Sequence, residues 1–386
     1  MTLTTPQGFR AAGVAAGLKS TGALDLALVV NDGPAHAAAG VFTRNKVKAA
    51  PVLWSQQVLT TGRLRAVVLN SGGANACTGP EGFQTAHATA EKAAEALGCA
   101  PLEVAVCSTG LIGKQLPREA VLAGVEAAAA ALGDDAPSAL AASTAIMTTD
   151  TVAKQSAYTD VSGWSIGGTT KGAGMIAPSM ATMLTVLTTD ALVDAPVLDE
   201  ALRAAVRVSF DRLDVDGSMS TNDTVLVLAS GASGVAVDPS AFTTALTALC
   251  RDLAQQMQAD AEGVTKRITV RVTGAATEDD AVTVARTIAR DSLVKTAIFG
   301  SDANWGRIAA AAGYADAAVD PDRLDIVVNG VLLCRGGVAA GGRTDADLSG
   351  KEVLVEVALG LGDGAADILT TDLSHAYVEE NSAYPS

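Results

Sequence analysis

Histidine is almost missing from this chain: His36, His87 and His375 are the only ones among 386 residues. None lies in a nucleophile-elbow or His-Glu-x-x-His context, so a His-based triad has nothing specific behind it and stays an open alternative. Aromatic residues make up only 3% of the chain against an apolar share of 49%, so the core must be Ala, Val and Leu in close contact. Basic residues are outnumbered, 27 to 42, and no Lys/Arg run exceeds two. A net charge of −15 argues against nucleic-acid binding, which needs a basic face, and reads as solubility and self-repulsion. The cysteines Cys77, Cys99, Cys107, Cys250 and Cys334 are scattered without C-x-x-C spacing, so neither a disulfide framework nor a zinc site is expected. The opening Met1-Thr-Leu-Thr-Thr-Pro6 lacks the charged and apolar regions of a signal peptide. No unbroken apolar stretch reaches the ~18 residues of a membrane span. A cytoplasmic chain without metal, membrane or nucleic-acid partner is the expectation.

What is present is a mixed pattern. Val/Leu/Ile-rich runs at 26–30, 65–70, 103–107, 183–188, 224–229, 267–272, 325–329 and 352–357 read as strands. Segments 84–97, 117–132, 196–210 and 240–261 read as helices, two opening with Pro and the first two stopping at Gly98 and Gly133. The strands after 183 alternate with helices too irregularly for a doubly wound sheet, which favours α/β (α+β) layers of mixed sheets. A shift toward Asp and Arg after Thr273-Gly-Ala-Ala-Thr-Glu-Asp-Asp280 marks a smaller C-terminal α+β subdomain, about 280–386.

Glycine is plentiful, yet its loops fail the nucleotide patterns. Gly172-Ala-Gly174 runs into Pro178 without a third Gly, and Gly110-Leu-Ile-Gly-Lys114 lacks the loop length and the Ser/Thr after Lys. Asp214-Val-Asp216-Gly-Ser218 begins like a calcium loop but has Met219 at the Gly position and Val225 at the final Glu position.

The run Lys171-Gly-Ala-Gly-Met-Ile-Ala-Pro-Ser-Met-Ala-Thr-Met-Leu-Thr185 is more informative. With histidine so scarce, a hydroxyl nucleophile needs another base. Cleavage between Ala181 and Thr182 would supply one, since an α-amine has a reference pKa of about 7.7–8.0, close to working pH. The amine would stand beside the Thr182 hydroxyl at the start of a strand. Composition by itself favours an ordinary strand threonine there.

The segment from Lys171 to Asp190 resembles the self-cleavage segment of the ornithine acetyltransferase family of arginine biosynthesis. Further matching runs are Gly40-Val-Phe-Thr-Arg-Asn-Lys46, Asn70-Ser-Gly-Gly-Ala-Asn-Ala-Cys77, Ser108-Thr-Gly-Leu-Ile-Gly113 and Ile146-Met-Thr-Thr-Asp150. Later come Ser220-Thr-Asn-Asp-Thr224, Ala261-Glu-Gly-Val-Thr-Lys266, Gly300-Ser-Asp-Ala-Asn-Trp-Gly-Arg307 and Glu380-Asn-Ser-Ala-Tyr-Pro-Ser386. The resemblance covers essentially the whole chain in order. Two departures stand out: Gly73 where many relatives have Asn, and a C-terminal serine in place of threonine, which keeps the hydroxyl.

The resemblance implies a layered sandwich of the N-terminal-nucleophile type and self-cleavage into an α-chain, 1–181, and a β-chain, 182–386. These would stay associated and pair again as an α2β2 heterotetramer. It implies that Thr182 takes an acetyl group from N2-acetyl-L-ornithine and passes it to L-glutamate in a ping-pong cycle. It assigns Thr109 and Gly110 to the oxyanion hole. It places Thr148, Thr149, Lys171, Glu262, Asn381 and Ser386 at the substrate, with Lys171 suited to the α-carboxylate and Glu262 to the ornithine ammonium. No metal or resident cofactor is implied, and acetyl-CoA is open as a second acetyl donor. Alternatives are a related N-terminal-nucleophile amidase or aminopeptidase, and an uncleaved, non-catalytic amino-acid-binding relative. Asn304 and Arg307 are read as structural or interface residues.

Overall fold

The computed structural model describes residues 2–177, 183–342 and 344–383. The chain divides into two compact units, Met1–Asp211 with Ser218–Met257, and Gln258–Pro385 with Arg212–Gly217.

The first unit is built on two sheets. Strands β1 (Phe9–Val14) and β2 (Leu26–Asn31) lead to β3 (Ala37–Phe42), helix α1 (Ala50–Val58) and β4 (Ala66–Asn70). Helix α2 (Gly79–Leu97), β5 (Val104–Ser108), α3 (Arg118–Ala130) and α4 (Ala136–Ala145) follow. Then come β6 (Lys154–Thr159), β7 (Ser165–Lys171), β8 (Leu184–Thr189), α5 (Ala195–Arg207), β9 (Thr224–Ala229) and α6 (Pro239–Ala259). One sheet has the order β1-β2-β4-β5 and the other β3-β9-β8-β7-β6. Pairing is antiparallel except between β4 and β5 and between β8 and β9.

Alternation decides the layering. Leu184 and Val186 of β8, with Leu226 and Leu228 of β9, join the core formed by β1, β2, β4 and β5, so the two sheets face each other across it. Alanine-rich faces of α2, α3 and α4 close the same core. Small side chains let these backbones approach, and this is how an aromatic-poor chain reaches native packing density. On the far sheet, a Cβ at Gly168 would stand 2.7 Å from Leu187 and 3.2 Å from Leu249 of α6, so the missing side chain admits that helix.

The second unit is a mixed sheet with helices. Its elements are β10 (Arg267–Ala275), α7 (Glu278–Arg290), α8 (Ser292–Phe299), α9 (Trp305–Gly313), β11 (Asp325–Val328) and β12 (Val331–Arg335). They continue with β13 (Val338–Ala339), β14 (Glu352–Ala358), β15 (Gly364–Thr371) and α10 (His375–Ala383). The strand order is β13-β12-β11-β14-β10-β15. Ile268, Val270 and Val272 alternate into the core and meet the stripe Ala281, Val284, Ala285 and Ile288 of α7. The Thr277 hydroxyl accepts the Asp280 N–H at 3.1 Å and caps that helix.

The architecture is the mixed α/β class expected. Every strand expected from sequence exists, with ends displaced by a residue or a few and 224–229 matched in full. Some helix ends differ more. The helix expected over 84–97 begins at Gly79, with proline in its first turn, and the one expected over 196–210 stops at Arg207 before a short 3-10 turn, Phe210–Arg212.

Candidate active site

The parallel strands β4 and β5 end side by side, and their exits make one wall of the site. The Thr109 N–H donates to Asn70 O at 2.9 Å, the Gly73 N–H donates to Thr109 O at 3.0 Å, and the Ser108 hydroxyl donates to Asn70 Oδ1 at 2.6 Å. Gly110 has φ +126°, and a Cβ there would lie 2.6 Å from Gly73 N, so only glycine fits this crossing. Among the described residues the Gly110 N–H meets no acceptor.

The second wall is the end of β7. Lys171 is buried, and its ammonium donates to the Thr148 hydroxyl at 2.7 Å and to the Thr109 hydroxyl at 3.4 Å. A hydroxyl that accepts from an ammonium keeps its own proton for another acceptor. Thr109 is thereby oriented as a donor, beside the Gly110 N–H.

Asp150 holds the cation in place. Its carboxylate accepts from Lys154 Nζ at 2.7 Å, from the Gly172 N–H at 2.7 Å and from the Thr148 N–H at 3.0 Å. Lys171 Nζ lies 3.9 Å away. Burial alone would raise this carboxyl, but the Lys171 and Lys154 charges and the hydrogen bonds outweigh it and hold it at about 2. The result is a buried, ionised network linking β6, β7 and the loop after α4.

Of the residues expected from sequence, Thr109, Gly110, Thr148 and Lys171 therefore come together in the first unit. Thr149 is half-buried in the same loop. In the second unit Glu262 and Asn381 meet, with the Asn381 amide donating to Glu262 Oε2 at 2.9 Å. Ala181, Thr182 and Ser386 lie outside the described residues. Asn304 accepts the Arg307 N–H at 3.3 Å at the start of α9, and Arg307 donates to Leu293 O at 2.8 Å, local bonds that shape that helix. Among the described residues no His/Cys/Asp/Glu cluster could hold a metal ion, and no helix is long and apolar enough to cross a membrane.

The reading from sequence gave no role to Asp150, although Asp150 closes one of its matching runs. It also left Lys154, Asn222 and Asp223 without a role. Nothing in a linear pattern tells which lysine a distant aspartate will pair with.

A buried cation beside a hydroxyl and a backbone N–H that can donate is an arrangement suited to acyl transfer on a carboxylate-bearing substrate. The comparisons with known proteins concern the family. Residues 10–386 match the ArgJ family. The arginine biosynthesis bifunctional protein ArgJ of Mycolicibacterium paratuberculosis is 62% identical, over 100% of this chain and 96% of its own. The protein of the same description from Streptomyces coelicolor is 58% identical over 100% of both chains. A solved chain of the Mycobacterium tuberculosis ornithine acetyltransferase, complexed with ornithine, is 62% identical over 46% of this chain and 94% of that one, with a TM-score of 0.46. The chain belongs to the ArgJ family, the acetyltransferases of arginine biosynthesis.

Proposed function

We propose that this chain cleaves itself between Ala181 and Thr182 and then moves acetyl groups on the freed threonine. The observation that carries the reading is the buried Lys171 ammonium, hydrogen-bonded to Thr148 and Thr109 and backed by ionised Asp150. In the first event the Thr182 hydroxyl attacks the Ala181 carbonyl carbon, the C–N bond breaks, and water hydrolyses the resulting ester. The α-amine so released takes the proton of the Thr182 hydroxyl. That oxygen attacks the acetyl carbonyl of N2-acetyl-L-ornithine. The alkoxide of the tetrahedral intermediate is met by the Thr109 O–H and the Gly110 N–H. Ornithine leaves with the proton, and the α-amine of L-glutamate attacks the acetyl ester to give N-acetylglutamate.

Lys171 receives the α-carboxylate common to both substrates, a charge-assisted contact. Thr148 and Thr149 line the same end. Glu262 receives the ornithine ammonium, and Asn381 and Ser386 complete the substrate contacts. The cycle uses no metal and no resident cofactor. Acetyl-CoA serves as a second acetyl donor in this reading, in line with the bifunctional description of the relatives. The two fragments would remain paired, assemble as α2β2, and work in the cytoplasm.

Thr182→Ala is the direct test. On denaturing electrophoresis the unaltered chain should run as two fragments and the variant as one band near 38.7 kDa. The variant should move no label from glutamate into acetylglutamate. Two fragments from the variant would remove Thr182 from cleavage, and release of free acetate alone by the unaltered chain would make it an amidase.

A further inference from the structure

The run Ser220-Thr-Asn-Asp-Thr224 has no part in the chemistry above, yet two of its side chains are placed where that chemistry needs rigidity. Asn222 and Asp223 are 4% and 0% exposed. The Asn222 amide donates to Ser108 O at 2.7 Å and to Ala74 O at 2.6 Å. Its own oxygen accepts from the Thr221 hydroxyl at 2.6 Å, which fixes which way the amide points. Asp223 Oδ1 accepts the Met183 N–H at 3.1 Å. Asp223 Oδ2 is buried as well, on the side of Ser220 and Thr43.

The neighbours of those contacts matter. Ser108 is the residue before Thr109, and Met183 is the residue after Thr182. Strand β5 belongs to one sheet, β8 and β9 to the other, and no ladder joins β5 to β9. The first backbone pair between β8 and β9, Leu184 with Thr224, comes one residue later on each strand. Backbone pairing, including the Thr224 N–H donating to Met183 O at 3.1 Å, ties the start of β8 to β9 but leaves its distance from the end of β5 unset. Adjacent side chains at the entry to β9 complete the link, Asn222 gripping the end of β5 and Asp223 adding a second hold on the start of β8. A fully buried carboxyl costs stability and calls for an explanation. Holding Met183 is one.

We infer that Asn222 and Asp223 are the positioning pair of the acyl-transfer site, setting the oxyanion donors at the end of β5 against the residue that follows the nucleophile. The inference rests on the proposed function and adds to it a part for residues that act through the backbone on either side of the site. A displacement of about 1 Å in such a constellation is enough to slow turnover by about a hundred-fold. Burial pushes the Asp223 carboxyl well above the usual carboxylate range, against the Met183 N–H and the Lys171 charge, so a neutral amide of the same shape should replace it.

The full-length chain carries the test as Asn222→Ala, Asn222→Asp, Asp223→Ala and Asp223→Asn, with kcat, KM and the extent of self-cleavage measured for each. Loss of either grip should lower kcat at least about ten-fold and slow cleavage, with KM for acetylornithine and glutamate within about two-fold. Asp223→Asn keeps the acceptor for Met183 and should recover kcat to within about three-fold of the unaltered chain. Unchanged kcat in both alanine variants overturns the inference, as does an Asp223→Asn chain no better than Asp223→Ala. Should the alanine variants not fold, Asn222→Asp keeps the volume but loses both donated bonds, and unchanged kcat there overturns it equally. An unaltered chain that stays whole and transfers nothing defeats the proposed function instead, whereas a cleaved, active chain with fully active variants defeats this inference alone.

Discussion

Two aspartates of the first unit, both buried, are shifted in opposite directions. Asp150 faces Lys154 and Lys171, with Lys19 at longer range, and stays ionised at about 2 despite its burial. Asp223 faces the Met183 N–H, Ser220, Thr43 and the more distant Lys171, and burial pushes it well above the usual carboxylate range. Linkage gives the two groups opposite signs. Asp150 is depressed below its unfolded value of 3.8, so its stabilisation is complete above about pH 4 and lost as the pH falls toward 2. A shift of that size corresponds to about 2 kcal/mol. Asp223 is raised, so the folded chain loses stability relative to the unfolded one as pH climbs above 3.8. Thermal melting across pH should therefore show Asp150→Asn weaker than the unaltered chain by about 2 kcal/mol at pH 7, with the gap closing in acid. Asp223→Asn should move the other way, gaining on the unaltered chain as the pH rises. Curves for the two variants that run parallel would show that the carboxyl states have been misassigned. Both residues lie in runs that the sequence marks as distinctive. Their states were not legible there, because a carboxyl's ionisation depends on which charges and which depth the fold supplies.

At the scale of elements, what was legible follows side-chain composition. Strands β2, β4, β5 and β9 are Val/Leu-rich and stand out. Strand β7 reads Ser-Ile-Gly-Gly-Thr-Thr-Lys, and every one of its residues is buried. No local propensity announces such a strand; pairing with β6 and β8 and the approach of α6 over Gly168 make it one. Yet β7 delivers Lys171, so the element hardest to read carries the cation of the site. The end of β5 shows the reverse. Thr109-Gly110 is conspicuous as a turn, but its geometry depends on the close crossing with Gly72 and Gly73. Gly110→Ala forces a Cβ against Gly73 N at 2.6 Å and strains a φ of +126°. Turnover should fall by about a hundred-fold, the cost of shifting the Thr109 and Gly110 donors by about 1 Å. A kinetic comparison with the unaltered enzyme checks this, and equal kcat would remove Gly110 from the mechanism.

Over the whole molecule, the proposed cut would fall between strands that pair within one sheet. The five-stranded sheet takes β3, β6 and β7 from before residue 182 and β8 and β9 from after it. Strand β8 pairs with β7 from Ile166–Thr189 to Lys171–Leu184, and β9 pairs with β3 from Ala37–Ala229 to Phe42–Thr224. Leu184, Val186, Leu226 and Leu228 also enter the core shared with the first sheet. The two fragments should co-elute in native size exclusion and come apart only in denaturant. Separation under native conditions would show that these ladders do not hold the halves.

The sequence by itself determined the mixed α/β class, the family, the Thr-Gly turn after β5 and the threonine at the proposed junction, because these depend on local pattern and on a match running the length of the chain. Only the tertiary structure decided that Lys171 lies buried against Thr148 and Thr109, that Asp150 is held below the usual carboxylate range and Asp223 pushed above it, and that Asn222 and Asp223 reach the ends of strands in two sheets. Those are properties of residues far apart in the chain, set by burial and by which polar groups the packed sheets bring within hydrogen-bonding reach.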